Sequence, residues 1–373
     1  MNRRNLLGTL GGALLGTPPV LRAQQEVARI GSVPARPWLS SKRREFTAPE
    51  LPDAPDEWIA RSFAWVDDML QRHPPSLPEH PVRRAALIRL DDILHIDSAP
   101  RKPIVQEYLQ RRMARVIEEI EQTKVASGGV IWKLYNHGFL VRTPSVSWTY
   151  DLVPGAPRIE GFRIAPELLK RLVTQSDATF ISHLHGDHAS EEVARLFLEQ
   201  GKPVVAPDKL WAEQADLASR LTYPVRSTTA ITKLPVRRNQ QTLEVVAYPG
   251  HQGETVLNNV HLVRSPEGFT TVQTGDQWFP SDFEWLAHVG SQHRVDVLLP
   301  NCWTMEIQRM VRGINPRFIM TGHENEMAHT VPHREDYTQT WNHLEGSGYP
   351  LLLLAWGESF RFAAPPAAAS PKV

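Results

Sequence analysis

The chain has 373 residues, with 41 Lys and Arg against 41 Asp and Glu, so its formal net charge is zero. That length gives room for one large domain with an appendage, and the balanced charge supplies no dominant positive field for a polyphosphate, which argues against an RNA-processing enzyme. A single cysteine, Cys302 in LLPNCWTM, excludes an internal disulfide and reads as a small buried apolar residue after a strand.

The chain opens Met1-Asn2-Arg3-Arg4-Asn5-Leu6-Leu7, runs through an apolar, glycine-punctuated stretch and reaches Leu21-Arg22-Ala23-Gln24. A basic start, a short apolar core and a closing small residue make a signal peptide over residues 1–23. The pair Arg3-Arg4 ahead of Leu6-Leu7 resembles a bacterial twin-arginine signal. It implies the twin-arginine export machinery as a partner, export in the folded state and a periplasmic or secreted location. The apolar core is shorter than a span of about 20 residues, and Pro18-Pro19 interrupts it, so no stable membrane anchor is expected. Cleavage after Ala23 removes Arg3, Arg4 and Arg22 and no acid, leaving 38 basic residues against 41 acidic ones.

Residues 24–125 form an extended and helical region. Residues 24–55 are rich in Pro, Ser and Arg. Trp58, Phe63, Val66, Met69 and Leu70 predict a helix over 57–71, and Ala86, Leu87, Leu90 and Ile93 another over 81–94. Val105, Tyr108, Leu109, Met113, Val116 and Ile117 form one stripe of a third, over 102–121. Ser127-Gly128-Gly129 breaks the pattern, and the first strand starts at Val130. This region carries no recognisable chemistry; its expected role is to pack against the main domain, residues 126–362, or to shape a groove. Residues 363–373, rich in Ala and Pro, read as a disordered tail.

In the main domain, polar residues follow apolar runs at strand ends. His137 lies in Tyr135-Asn136-His137-Gly138-Phe139-Leu140-Val141, and Asp151 follows Ser147-Trp148-Thr149-Tyr150. The segment ISHLHGDHAS then places His183, His185, Asp187 and His188 between a strand-like run and a helix with Val193, Leu196 and Phe197 on one face. Three imidazoles and a carboxylate within six residues suit a metal rather than packing, because imidazole nitrogen is a preferred neutral ligand of zinc. His251 in AYPGHQGE, Asp276 in TVQTGDQW and His323 in RFIMTGHENE each follow another β-rich run. Loops at strand ends are where a rigid scaffold carries chemistry. His329 and His333 crowd beside His323 as substrate-anion binders, supports for the ligands or surface histidines. Trp278, Phe279, Trp285 and Trp303 are pocket walls or core.

These motifs, spanning about residues 126–362, resemble the metallo-β-lactamase-fold hydrolase superfamily. The resemblance implies an α/β fold, an αββα sandwich with a mainly helical N-terminal extension and the site at one edge between two sheets. It assigns His183, His185 and His251 to one metal, Asp187, His188 and His323 to a second, and Asp276 to the bridge. Asp151 matches the early aspartate beneath the metal loop. An aspartate at the bridge, where the commonest lactam-cleaving enzymes carry cysteine, looks like the glyoxalase II, lactonase, phosphodiesterase and tRNA-processing nuclease branches. The segment around His137 is loosely similar to the branch of L-ascorbate-6-phosphate lactonase and N-acyl phosphatidylethanolamine phospholipase D, with Asn136 where that branch has glycine. His137 would then lie near the metals, as a support for their ligands or a substrate group; otherwise it is a hairpin histidine.

The expected function is an exported dinuclear zinc hydrolase. Two metals about 3.5–4 Å apart would hold a hydroxide that attacks an ester, lactone or phosphodiester, with Asp187 and Asp276 as catalytic carboxylates. Iron or manganese stays open, since ligand type alone does not choose among them. The partner is a small organic substrate, with no nucleic acid. The alternative is a non-hydrolytic metal-binding or di-iron redox protein of the same fold.

Overall fold

The computed structural model describes residues 53–236 and 240–364. The expected signal peptide and the tail beyond residue 364 lie outside them.

Two sheets stack face to face. The first contains β1 (Gly129–Lys133), β2 (Phe139–Arg142), β3 (Ser147–Tyr150), β4 (Ala178–Phe180), β5 (Val204–Val205) and, at the far end of the chain, β13 (Glu358–Phe362). The second contains β6 (Thr232–Pro235), β7 (Thr242–Gln252), β8 (Val256–Arg264), β9 (Thr270–Gln273), β10 (Val297–Leu299), β11 (Phe318–Met320) and β12 (Leu351–Leu352). Their orders are β13-β1-β2-β3-β4-β5 and β12-β11-β10-β9-β8-β7-β6. The strands nearest the chain ends and the hairpins pair antiparallel, whereas β3 to β5 and β9 to β12 run parallel.

Strand alternation sorts the core into three layers. Ile131, Val141, Trp148, Phe180, Val245, Val263, Val297 and Leu299 point between the sheets. Their sequence neighbours Val130, Trp132 and Leu140 turn to the outer face of the first sheet. Val246, Leu262, Val272 and Leu298 turn to the outer face of the second. Helices cover both outer faces, so the molecule is the αββα sandwich that the motifs imply.

The covering layer on the first sheet is the N-terminal region itself. Helices α1 (Asp56–Arg72), α2 (Pro81–Leu94) and α3 (Pro103–Gln122) begin and end within a residue of the sequence expectation. Their apolar stripes share one continuous core with Trp132, Leu140 and Trp356. Helices α4 (Pro166–Thr174) and α5 (Glu191–Glu199) extend the same layer. On the second sheet, Met310 and Ile314 of α6 (Ile307–Ile314) pack with Phe283 and Leu286. Helix α7 (Tyr337–Leu344) joins the two layers, with Tyr337 and Trp341 in one and Leu344 in the other.

The parallel strands set the position of the site. The C-terminal ends of β3, β4, β9, β10 and β11 carry Asp151, residues 182–188, Asp276, Asn301 and His323 respectively. Cross-sheet bonds hold this edge closed: Tyr150 Oη lies 2.7 Å from Thr271 Oγ1, and Asn259 N donates to Ser182 O at 2.8 Å.

Candidate metal centre

At the common edge, six of the seven expected ligands converge. Asp187, His188, Asp276 and His323 offer ligand atoms within 4.8 Å of one another, and so do His183, His185 and Asp276. Asp276 is shared by both groups. Its Oδ1 lies 3.2 Å from His188 Nε2, and its Oδ2 lies 3.8 Å from both His183 Nε2 and His323 Nε2. Asp187 Oδ2 lies 3.2 Å from His188 Nε2 and 3.2 Å from His323 Nε2. His251 belongs to neither group. Its Nδ1 lies 3.1 Å from Asp282 Oδ2, which leaves Nε2 as its other nitrogen, and its neighbour Gln252 donates from Nε2 to Asp276 Oδ2 at 3.1 Å.

Asp151 organises the imidazoles from below. It sits fully buried at a positive φ of 38°. Its Oδ1 accepts from Ser182 N at 2.7 Å, and its Oδ2 accepts from Ser182 Oγ at 2.7 Å, Gln273 Nε2 at 2.6 Å and His188 Nδ1 at 2.9 Å. Ser182 Oγ has given its proton to Asp151, so it can only accept from His183 Nδ1, 3.0 Å away. Both rings therefore carry a proton on Nδ1 and turn Nε2 toward Asp276, so that in the neutral form a metal ligand requires, Nε2 is the bare nitrogen. Both Nε2 atoms are buried without a hydrogen-bond partner. Orphaned acceptors in a dry site are costly, and a cation is what this donor set fits.

His323 is set differently. Its Nδ1 accepts from Trp303 Nε1 at 3.2 Å. If Nε2 were to hold a cation, the proton would have to sit on Nδ1, on the side where Glu335 Oε2 lies 4.0 Å away, buried and without a hydrogen-bond partner. Asn136 steadies the open side of the centre: its Nδ2 donates to Asp187 O at 2.9 Å and to Asp187 Oδ2 at 3.3 Å, and its carbonyl accepts from His323 N. Asn301 donates to Asp276 Oδ1, and Asn258 Oδ1 accepts from Asp276 N. Close approach needs Gly275, where an added Cβ would lie 2.5 Å from that of Ser182. It also needs Gly322, where it would lie 2.3 Å from His137 Cδ2.

Electrostatics follow from this crowding. Burial and the neighbouring His188 push His183 down to about 3. Burial also opposes charge on His323, but the carboxylates of Asp276 and Asp187 outweigh it and hold that ring up at about 9. His188 is raised for the same reason, and Asp187 and Asp276 are lowered against burial by the imidazoles. In the metal-free state protons thus occupy the places where cations would bind.

The other expected residues divide. His137 is buried and held to about 4 by burial and His188; its Nε2 donates to Leu299 O at 3.2 Å and its Nδ1 accepts from Gln273. It braces Asp151 from within and does not face a substrate. The His329 ring lies 5.3 Å from that of His323, tilted by 40°, and groups with it and Glu335. His333 is exposed, and only its carbonyl meets His329. Trp278 and Trp303 lie 5.2 Å apart, and Trp303 meets His323 edge-on at 5.7 Å, forming a wall; Trp285 stacks on Tyr248 away from it. Exposed Leu184 adds an apolar rim. A hollow of about 560 Å³ along the metal loop is lined by Pro157, Arg158, Gly186 and Ser190. A larger one of about 800 Å³, by Leu198, Pro203 and Pro235, touches none of the residues above. Sequence reasoning missed Ser182, Gln252, Gln273, Asp282, Asn301 and Glu335; Asn301 alone had a signal, as a polar residue closing the apolar run of β10.

No family model and no curated protein matches the sequence. Solved structures do. The chain is similar to a metallo-hydrolase from the hyperthermophilic archaeon Ignicoccus hospitalis, at 14% identity over 63% of this chain and 99% of that one, with a TM-score of 0.47. It is similar to an isothiocyanate hydrolase from Delia radicum gut bacteria, at 13% identity over 63% and 99%, with a TM-score of 0.48. It is also similar to a diiron β-hydroxylase from Streptomyces venezuelae, at 15% identity over 64% of this chain and 55% of that one, with a TM-score of 0.45.

Proposed function

We propose that this chain is a metal-dependent hydrolase that holds two divalent cations, zinc first among them, and cleaves an ester, lactone or phosphodiester of a small organic molecule. The observation that carries this reading is the pair of orphaned, tautomer-fixed nitrogens, His183 Nε2 and His188 Nε2, converging on one carboxylate. Asp276 is the shared ligand between a position with His183 and His185 and a position with Asp187, His188 and His323. Divalent cations there supply Lewis acidity toward a carbonyl or phosphoryl oxygen and bring the pKa of water toward neutrality.

The chain's own residues do the rest. Asp151 and Ser182 fix which nitrogen each ring offers. Asn136 and Asn301 hold the carboxylates of Asp187 and Asp276 in place. Asp187 is the more open of the two, its side chain 13% exposed against 3% for Asp276, which makes it the carboxylate that would accept a proton from an attacking water. Trp278, Trp303 and Leu184 give an apolar wall to the side where substrate enters. The sequence of residues 1–23 supports export of the folded enzyme by the twin-arginine route to the periplasm or beyond.

Metal content tests the reading. Protein purified without added metal should carry about two zinc ions per chain, and Asp276→Ala about one or fewer, because a shared ligand serves both positions. A panel of esters, lactones and phosphodiesters should show turnover that disappears with Asp276→Ala. Iron with visible absorbance and no turnover would favour the redox alternative.

A further inference from the structure

Between the two sheets, Asn259 Nδ2, both ring nitrogens of His261 and Gln273 Oε1 are buried without a hydrogen-bond partner, and their polarities match in a row. We propose that His261 is a positioning residue, the middle link of an interior hydrogen-bond relay that runs from Arg226 through Asn259, His261 and Gln273 to Asp151; its effect on cations rests on the two-metal reading above. On β8, Asn259 and His261 share the phase of Val263, which points between the sheets. On β9, Gln273 shares the phase of Thr271, whose Oγ1 meets Tyr150 Oη of the first sheet. His261 and Gln273 stand directly opposite each other in the β8–β9 ladder, where paired side chains of one face are about 4.5–5.5 Å apart at Cβ. Asn259, His261 and Gln273 are all fully buried, and Phe180 of the first sheet meets the His261 ring edge-on at 5.3 Å.

The bonds at the two ends decide which atoms are left over. Gln273 Nε2 donates to Asp151 Oδ2 at 2.6 Å and to His137 Nδ1 at 3.4 Å, so its amide protons are spent and its unmet atom is the acceptor, Oε1. Asn259 Oδ1 accepts from Arg226 Nε at 3.0 Å, so its unmet atom is the donor, Nδ2. Burial brings the His261 ring down to about 4, so near neutral pH it is uncharged, with one nitrogen a donor and the other an acceptor. That is what the row needs: Asn259 gives to His261, and His261 gives to Gln273. Buried polar groups left unmet are costly, and a side-chain rotation or a single bridging water closes each gap. The charges that the His261 ring senses are those of Asp151 and Arg226, one at each end. In the completed row every N–H points from the guanidinium toward the carboxylate, and such chains strengthen one another. The row holds the Gln273 amide on Asp151, the acceptor that sets the tautomers of His188 and, through Ser182, of His183. Arg226, half-buried and bonded also to Gly250 O, is thereby tied to the orientation of the ligands.

Two measurements on the full chain test this. In proton–nitrogen spectra of the isotope-labelled protein, His261 should show one ring N–H that exchanges slowly with water, assigned by its absence from His261→Gln. Arg226→Leu, which breaks the row beyond Asn259, should shift that signal. In calorimetric titration of the metal-stripped chain with Zn²⁺, His261→Phe should weaken one cation about tenfold. Arg226→Leu should weaken the same cation, and the double variant should lose no more than the weaker-binding single variant, because a relay is broken once. His261→Gln carries both a donor and an acceptor and should restore most of the affinity. A His261 ring proton that exchanges fast or ignores Arg226→Leu, or losses that add in the double variant, would overturn the relay. Should His261→Phe fail to fold, Arg226→Leu and His261→Gln decide between these outcomes. A parent chain that binds no ion would overturn the two-metal reading, and the spectra would still judge the relay.

Discussion

Asn136 shows how much a single amide can hold. It adopts a positive φ of 55°, a conformation that costs little for asparagine and less for glycine. From there it fixes both the backbone and the carboxylate of Asp187 and receives the backbone of His323. Asn136→Gly keeps the backbone shape and removes the side-chain bonds. Partners of metal ligands typically contribute 10–100-fold in affinity or activity. Calorimetry of Asn136→Gly should therefore show one cation weakened by about that factor, with the melting temperature of the metal-free protein little changed. An unchanged affinity would show that Asp187 needs no support. The ligands themselves were legible in the sequence because they follow apolar runs in a dense pattern. Their supports were not: Ser182, Gln273 and Asn301 are ordinary polar residues until the fold brings them to Asp151 and Asp276.

Helix α2 does more than cover a sheet. Asp91 accepts from Asn325 Nδ2 at 2.9 Å and from Tyr337 N at 3.0 Å, and Arg334 donates to Leu94 O. These bonds tie the loop that carries Glu326, His329 and Glu335 to a region with no chemistry of its own. Glu326, buried between Tyr135 and that loop, is raised to about 7 by burial and by the charge of Asp187. Nearby, buried Arg83 binds Glu358 through NH1 at 2.7 Å and NH2 at 2.5 Å, and donates to Leu353 O at 2.7 Å. Arg83→Ala leaves Glu358 buried without its cation, which costs on the order of 3–5 kcal/mol. Urea unfolding should show a loss of that size; a loss below about 1 kcal/mol would mean that water replaces the guanidinium. Periodicity revealed the three N-terminal helices, because their stripes are local. It could not reveal what they dock on. Nor could it place His251 beside Asp282 and Gln252 beside Asp276, since that is the phase of a strand, set by a turn through Gly253 at φ 68° and by pairing with β8.

Across the whole molecule, the site is an electrostatic debt that cations settle. Asp187 and Asp276 face each other's imidazoles in a dry edge, and without cations only protons on His188 and His323 balance them. Ligands that bind only the folded state stabilise it by mass action, by about 4 kcal/mol at a thousandfold excess over the dissociation constant. Stripping the metal with a chelator should lower the melting temperature by about 5–10 °C, reversed by adding it back. Calorimetric scanning before and after chelation measures this; equal melting temperatures would mean that the edge is preformed and unstrained.

The pairing of β1 with β13 has a consequence for how the chain comes into being. Arg83 meets Glu358 across 275 residues, and Arg112 Nε donates to Trp356 O across 244. Helices α2 and α3 thus have partners 275 and 244 residues later in the chain. Until β13 emerges, the apolar stripes of α1 to α3 lack a finished floor, and Arg83 has Glu79 but not Glu358 for an acid. Contacts this remote in sequence form slowly and leave sticky surface exposed while they wait. Synthesis that stops short of Glu358 would yield a chain missing the edge strand of its first sheet and the acid that Arg83 and the backbone of Ala355 bind.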